Sequence, residues 1–288
     1  MTGRNSRRTR PADSLSRGSV LVDGESLFYE ASGSDEKGRT LLFLHDSGGS
    51  SSTWQGQLSG LAERARCLAP DFPGHGRSEG TSFTTVAEYR RSIEAFLDAL
   101  AIRWPVVVAG ASLGAAVAVD LALHAPKRVE GLILAGPTAG GRCAGEVVEA
   151  TARGEAPESF VTGLFGPNVH SQIVRDRLKR WRLTSPLARH ADLTAVTGYQ
   201  FDQAVQGVRH PVLFVAGGAD SLASPEQVQA LAVRLPDASV ATIPGAGCLS
   251  MLEEPLLFNR QVAGFVAKLS PTVPVLSEER QPGGYWRF

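Results

Sequence analysis

A chain of 288 residues with 29 basic and 29 acidic side chains carries no formal net charge at neutral pH, and 43% of it is hydrophobic. That balance argues against nucleic acid or an acidic surface as a partner, and the length suits one large domain, or one domain with an insertion. No apolar run reaches membrane-spanning length, and the three cysteines (Cys67, Cys143 and Cys248) are far apart and lack metal-ligand spacing. Together these point to a reducing, cytoplasmic compartment, with no membrane partner, metal or disulfide framework.

In chain order, residues 1–18 form a basic leader without an apolar h-region, expected to be disordered. "SVLVDGESLFYEASG" alternates apolar residues around Asp23-Gly24, the pattern of a hairpin. Six further strands are expected from "TLLFLH", "RCLAP", "PVVVAG", "GLILAG", "PVLFVAG" and "SVATIP". Their apolar faces on both sides indicate a mostly parallel sheet covered by helices. Val86, Tyr89, Ile93, Phe96, Leu97 and Leu100 recur at helical spacing, "LGAAVAVDLALHA" reads as a buried helix, and "SPEQVQALAVRL" opens with a Ser-Pro start and Glu226 in its first turn. This βα alternation predicts an α/β fold with eight strands.

One segment breaks the rhythm. Residues 143–208 contain no strand-like run and two helix-like stretches, so they are expected to form a helical cap over a core of residues 19–142 and 209–270. Such insertions commonly lie over the carboxyl ends of strands, where active sites form. Residues 271–288 read as a Pro/Gly-rich extension that packs through Tyr285, Trp286 and Phe288.

The chemistry concentrates in a few stretches. Gly110-Ala111-Ser112-Leu113-Gly114 is a G-x-S-x-G sequence between a strand and a helix. In that context the serine stands on a sharp turn that only small neighbours tolerate. His45-Asp46-Ser47-Gly48-Gly49 follows an early strand, "APDFPGHGRSEG" the next, and "LFVAGGADSLASPEQ" a later one. Together these motifs resemble the α/β-hydrolase superfamily over roughly residues 19–270. The similarity is to its cap-bearing esterases, C–C bond hydrolases and cofactor-free haloperoxidase-like proteins.

The resemblance implies Ser112 as nucleophile, the backbone N–H groups of Ser47 and Leu113 as oxyanion hole, and Asp220 as the triad acid. It implies no cofactor. His45 and His75 are read as structural hydrogen-bonding residues and His124 as a surface residue, while the place of His170 and His190 relative to Ser112 stays open. Phe160, Phe165, Trp181 and His190 are candidates for the pocket that would receive a hydrophobic small molecule. No oligomeric state is implied.

The pattern departs from the family at two points. The base histidine belongs in a stretch like GHxxxxExP, which here runs from Gly247 through Glu253 to Pro255 with Cys248 at the histidine's place. A carboxylate beside a thiol raises its pKa, so Cys248 is expected to be a neutral thiol and a poor base. The family's HGxxG glycine is Asp46, expected to turn its carboxylate to solvent; the alternative is an accessory acid or base. The resemblance gives ester, thioester or C–C bond hydrolysis as the default activity. A non-hydrolytic enzyme (a cyclase, lyase or rearrangement catalyst of specialised metabolism) and a pseudoenzyme are the alternatives that Cys248 favours.

Overall fold

The computed structural model describes residues 15–34, 38–137 and 145–270. Eight strands form one sheet: β1 (Ser16–Val22), β2 (Glu25–Ser32), β3 (Thr40–Leu44), β4 (Arg66–Pro70), β5 (Val106–Ala111), β6 (Val129–Ala135), β7 (Val212–Gly217) and β8 (Ala238–Ile243). Their spatial order is β1-β2-β4-β3-β5-β6-β7-β8. The hairpin β1–β2 turns at Asp23 and Gly24, both at positive φ, and β2 pairs antiparallel with β4; every later pairing is parallel. β1 starts at Ser16, and Arg17 pairs with Glu30 at 3.0 Å, so residues 16–18 belong to the sheet and not to the leader. Residues 1–14, Cys143 and the 271–288 extension lie outside the described residues.

The sheet is apolar on both faces because its strands alternate between two cores. Leu42, Leu44, Val106 and Val108 face one; Leu41, Phe43, Val107 and Ala109 face the other. The first core is covered by α2 (Val86–Ala99), α3 (Leu113–His124) and α9 (Pro225–Ala232). The second is covered by α1 (Gln55–Leu61) and α11 (Pro255–Val266). The expected stripe of α2 is buried at Val86, Tyr89, Ile93, Phe96 and Leu97, and Thr85 caps its start by accepting from the Glu88 N–H. A capping box joins Ser224 and Gln227 at the start of α9. α3 is buried almost all round, as its small apolar residues foretold.

Between β6 and β7 the described chain is helical: α4 (Gly145–Ala152), α5 (Glu158–Thr162), α6 (Ser171–Leu183), α7 (Pro186–Gly198) and α8 (Phe201–Ala204). This insertion lies over the carboxyl ends of β3, β5 and β8. There the loop after α5 is sewn to the turn after β8: Leu249 N–H donates to Leu164 O at 3.3 Å, and Gly166 N–H donates to Glu253 at 3.0 Å. A short helix, α10 (Ser250–Glu253), completes that turn.

Candidate active site

Ser112 occupies the one-residue bend between β5 and α3 at φ 49°, ψ −109°. A non-glycine residue at positive φ costs on the order of 1–3 kcal/mol and persists only where its surroundings hold it. They do so here through the Ser112 N–H, which donates to Ala135 O at 3.1 Å, and through close backbone packing. A Cβ on Gly110 would sit 2.2 Å from Gly114 O, and one on Gly114 would sit 2.2 Å from Leu44 O. These glycines are what let the turn close. The Leu113 N–H lies in the first turn of α3, where helix geometry supplies no acceptor. Neither it nor the Ser47 N–H donates a hydrogen bond among the described residues, and Ser47 Oγ is buried without a partner.

Asp220 lies on the turn after β7, almost wholly buried. Its Oδ1 accepts from the N–H groups of Leu222 and Ala223 at 2.8 and 3.1 Å, while its Oδ2 has no partner. Burial raises its pKa and those two N–H groups oppose the rise. Cys248 lies on the turn after β8, its Sγ packed where a Cβ on Gly136 would come within 2.3 Å. Its pKa is pushed well up, first by burial and then by the charges of Asp220, Asp46 and Glu253. The thiol is therefore neutral, as the sequence foretold. Around it the frame is intact: Gly247 N–H donates to Glu253 Oε1 at 2.8 Å, and a Cβ on Gly217 would meet Gly247 O at 2.0 Å.

Ser112, Ser47, Asp46 and Cys248 meet at one cavity of about 10 Å³, closed over by Phe160 and Leu164 of the insertion. That is room for roughly one water molecule. The expected pocket roof needs correction. Phe160 lines the cavity; Phe165 and Trp181 do not, and are buried in packing instead. Trp181 lies 5.7 Å from the Phe160 ring and covers Gly48, whose Cβ would fall 2.4 Å from the indole. His190 is away from the cavity, its Nδ1 3.4 Å from Thr151 Oγ1. His170 caps α6 by accepting from the Gln172 N–H at 3.3 Å, and is exposed. No histidine lines the cavity. A cleft of about 640 Å³ beside Glu130, Asp237 and Lys268 lies at the opposite, amino end of the strands; open α/β sheets bind ligands at the carboxyl end.

A serine on a strained strand-to-helix turn and a buried acid after β7 are accompanied by a family match. The alpha/beta hydrolase family matches residues 41–261. The chain belongs to the alpha/beta hydrolase family. It is 30% identical over 244 residues to the dihydrolipoyllysine-residue acetyltransferase component of the acetoin cleaving system of Pseudomonas putida, covering 81% of this chain and 65% of that one. The chain thus spans about two thirds of that relative's length. It is 28% identical to the pimeloyl-[acyl-carrier protein] methyl ester esterase of Aromatoleum aromaticum, over 75% of this chain and 93% of the esterase. Among solved structures it superposes on a hydrolase from Pseudomonas aeruginosa PA01 with a TM-score of 0.76 at 28% identity, covering 89% of this chain and 99% of the other.

In this alpha/beta hydrolase the loop that carries Ser47 is held from the insertion by two buried charges invisible in the sequence. Asp46 does not turn to solvent, as expected, but is buried: its Oδ2 accepts from Arg177 Nη2 at 2.7 Å and its Oδ1 from Thr53 at 3.1 Å. Arg177, from α6, also donates to Ser47 O at 2.7 Å and Gly48 O at 3.3 Å. From α7, Asp192 accepts from the Gly48 N–H at 2.7 Å, from His75 Nε2 at 2.8 Å and from the Tyr89 hydroxyl. Burial works against the His75 imidazolium and the Asp192 carboxylate alike, but each stabilises the other's charge, so the His75 pKa is raised and that of Asp192 lowered. His45 is different: burial, then the neighbouring His75 charge, lower its pKa to about 4. It stays neutral, donating from Nδ1 to Asp46 O at 2.8 Å and accepting the Phe72 N–H at 3.0 Å. His45 and His75 are thus structural, as the sequence indicated.

Proposed function

We propose that this alpha/beta hydrolase is an enzyme that grips the carbonyl of a hydrophobic small molecule between Ser112 and the N–H groups of Ser47 and Leu113, and that its reaction is not efficient ester hydrolysis. The observation that carries this reading is the pairing of a neutral, buried thiol at Cys248 with an Asp220 oxygen that has no partner. A serine hydroxyl needs a base to take its proton as it attacks, and no imidazole stands at this cavity. The oxyanion hole works without one. Two N–H donors aimed at a carbonyl oxygen in a dry cavity stabilise developing negative charge, the main requirement of cyclisations, eliminations and rearrangements at carbonyl compounds. The roughly one-water cavity is roofed from the insertion by Phe160, Leu164 and Leu193, so this reading has α5, the loop after it and α7 shift to admit a substrate.

The second reading is a conventional hydrolase acting on an ester, thioester or C–C bond. It is favoured by the relatives named as esterase and hydrolase and by the strained, well-supported geometry of Ser112. Turnover of an activated aryl ester separates the two. The natural protein is expected to hydrolyse it no faster than S112A, whereas C248H, which restores an imidazole inside an intact frame, is expected to gain at least about 10³-fold. Turnover by the natural protein that disappears in S112A would establish the hydrolase reading instead.

A further inference from the structure

On the far side of the Asp46–Arg177 pair from Ser112 lies a second cleft of about 160 Å³, between α6 and the start of α11. Ile173, Met251 and Pro255 supply apolar walls, and Asp176, Arg177 and Arg180 supply charge. The volume is enough for one end of a small molecule but not for all of a drug-sized ligand. Arg177 therefore borders the outer cleft, while its partner Asp46 borders the catalytic cavity. One ion pair stands between the two spaces.

The guanidinium is unevenly satisfied. Of its five N–H groups, three donate: both on Nη2, to Asp46 and Ser47 O, and one on Nη1, to Gly48 O at a long 3.3 Å. Nε has no partner although Arg177 is only 2% exposed. Leaving a donor of a buried cation unpaired is costly, so the gap calls for an occupant, a ligand group or a water. The plane of the guanidinium is held by the Trp181 ring, 5.8 Å away, and fixed orientation is what bidentate recognition requires. Arg180 adds a second cation at the cleft and makes no side-chain hydrogen bond among the described residues. The one carboxylate there, on Asp176, is drawn along the helix by Gln172 Nε2 at 2.9 Å.

We propose that Arg177 receives a carboxylate carried by the substrate, which enters through the outer cleft and competes with Asp46 for the guanidinium. This rests on the reading of the Ser112 cavity as the carbonyl site and narrows it to carbonyl compounds bearing a carboxylate some distance from the reacting group. A carboxylate fits the planar donor fork. Its arrival loosens the clasp between α6 and the Ser47 loop, and leaves Asp46 an acceptor facing the cavity of Ser112. Recognition of the anion and opening of the closed site are thus one event.

The test is isothermal titration of the full chain with phenylacetate and 4-phenylbutyrate, each beside its uncharged amide. The acids are expected to bind at least about tenfold more tightly than the amides. D46N removes the internal competitor and is expected to tighten acid binding about tenfold or more, while leaving the amides unchanged. R177M should abolish the preference for acids and R177K should retain part of it, with circular dichroism confirming that each variant is folded. Failure of the acids to bind, equal affinity for acid and amide, or no tightening in D46N overturns the proposal. Titration needs no turnover, so it fails or succeeds independently of the aryl ester measurement that tests the carbonyl reading.

Discussion

Two turns at the carboxyl edge of the sheet, one at Ser112 and one at Cys248, are built to the same standard and keep different things. Both are packed so tightly that an added Cβ would strike backbone: Gly114 against Leu44 O, and Gly247 against Leu164 O at 2.6 Å. The first turn presents a serine followed by Leu113, whose N–H donates no hydrogen bond among the described residues. The second holds its Glu253 hydrogen bonds to Gly247 and Gly166, yet offers only a neutral thiol. Backbone geometry and chemical function are therefore separately encoded. A frame of glycines and one glutamate specifies where a side chain stands, and a single residue decides what it does there.

Three substitutions probe that separation. The largest effect is expected in the C248H background, where D220N should remove the imidazole's orienting partner and reverse the gain in aryl ester turnover, by about 10³-fold. In the natural protein D220N should change turnover by less than about threefold, because the proposed function gives Asp220 no base to orient. A large loss in both would mean that Asp220 acts through some other group. G114A attacks the frame rather than the chemistry. With its Cβ 2.2 Å from a carbonyl oxygen, it should destabilise the fold by about 3 kcal/mol or more in urea unfolding. S47A attacks neither: it deletes a buried hydroxyl without a partner and leaves the backbone donor in place, so stability should stay the same or rise by up to about 1 kcal/mol.

The pH dependence tests the clasp that holds the Ser47 loop. The His75 pKa is raised in the fold, so its contribution is fully present below the unfolded value of about 6.5 and is lost as pH rises through the folded one. The Asp192 pKa is lowered, so its contribution is present above about 4 and lost only in stronger acid. The penalty of D192N in urea unfolding should therefore be largest near pH 6, about 3 kcal/mol or more, and should shrink toward pH 9. A penalty independent of pH would mean that His75 is neutral throughout.

Most of the fold was legible because its signals are local. Strands apolar on both faces, the Asp23-Gly24 turn and the helix start at Ser224 each lie within a few neighbouring residues. The places of Ser112, Asp220 and Cys248 on turns after β5, β7 and β8 were legible from motifs with fixed spacing. Arg177 and Asp192 were not. Their partners Asp46 and His75 lie 131 and 117 residues away, and a lone arginine or aspartate on an amphipathic helix looks solvated until the helix is docked. Asp46 was misread for the same reason: nothing nearby in sequence announces the cation that allows its burial. The roof of the cavity was overestimated because aromatic residues that pack and aromatic residues that line a pocket have the same sequence pattern, and here Phe160 alone of the aromatic candidates does the latter.

The central claim, that the elbow is complete and the base is missing, is tested most directly by intact-mass detection of a fluorophosphonate adduct on Ser112. The natural protein should remain unlabelled over a time in which C248H is labelled to one adduct per chain, and S112A/C248H should show none. Rapid labelling of the natural protein at Ser112 would contradict the account, because it would show a serine activated by a base other than residue 248.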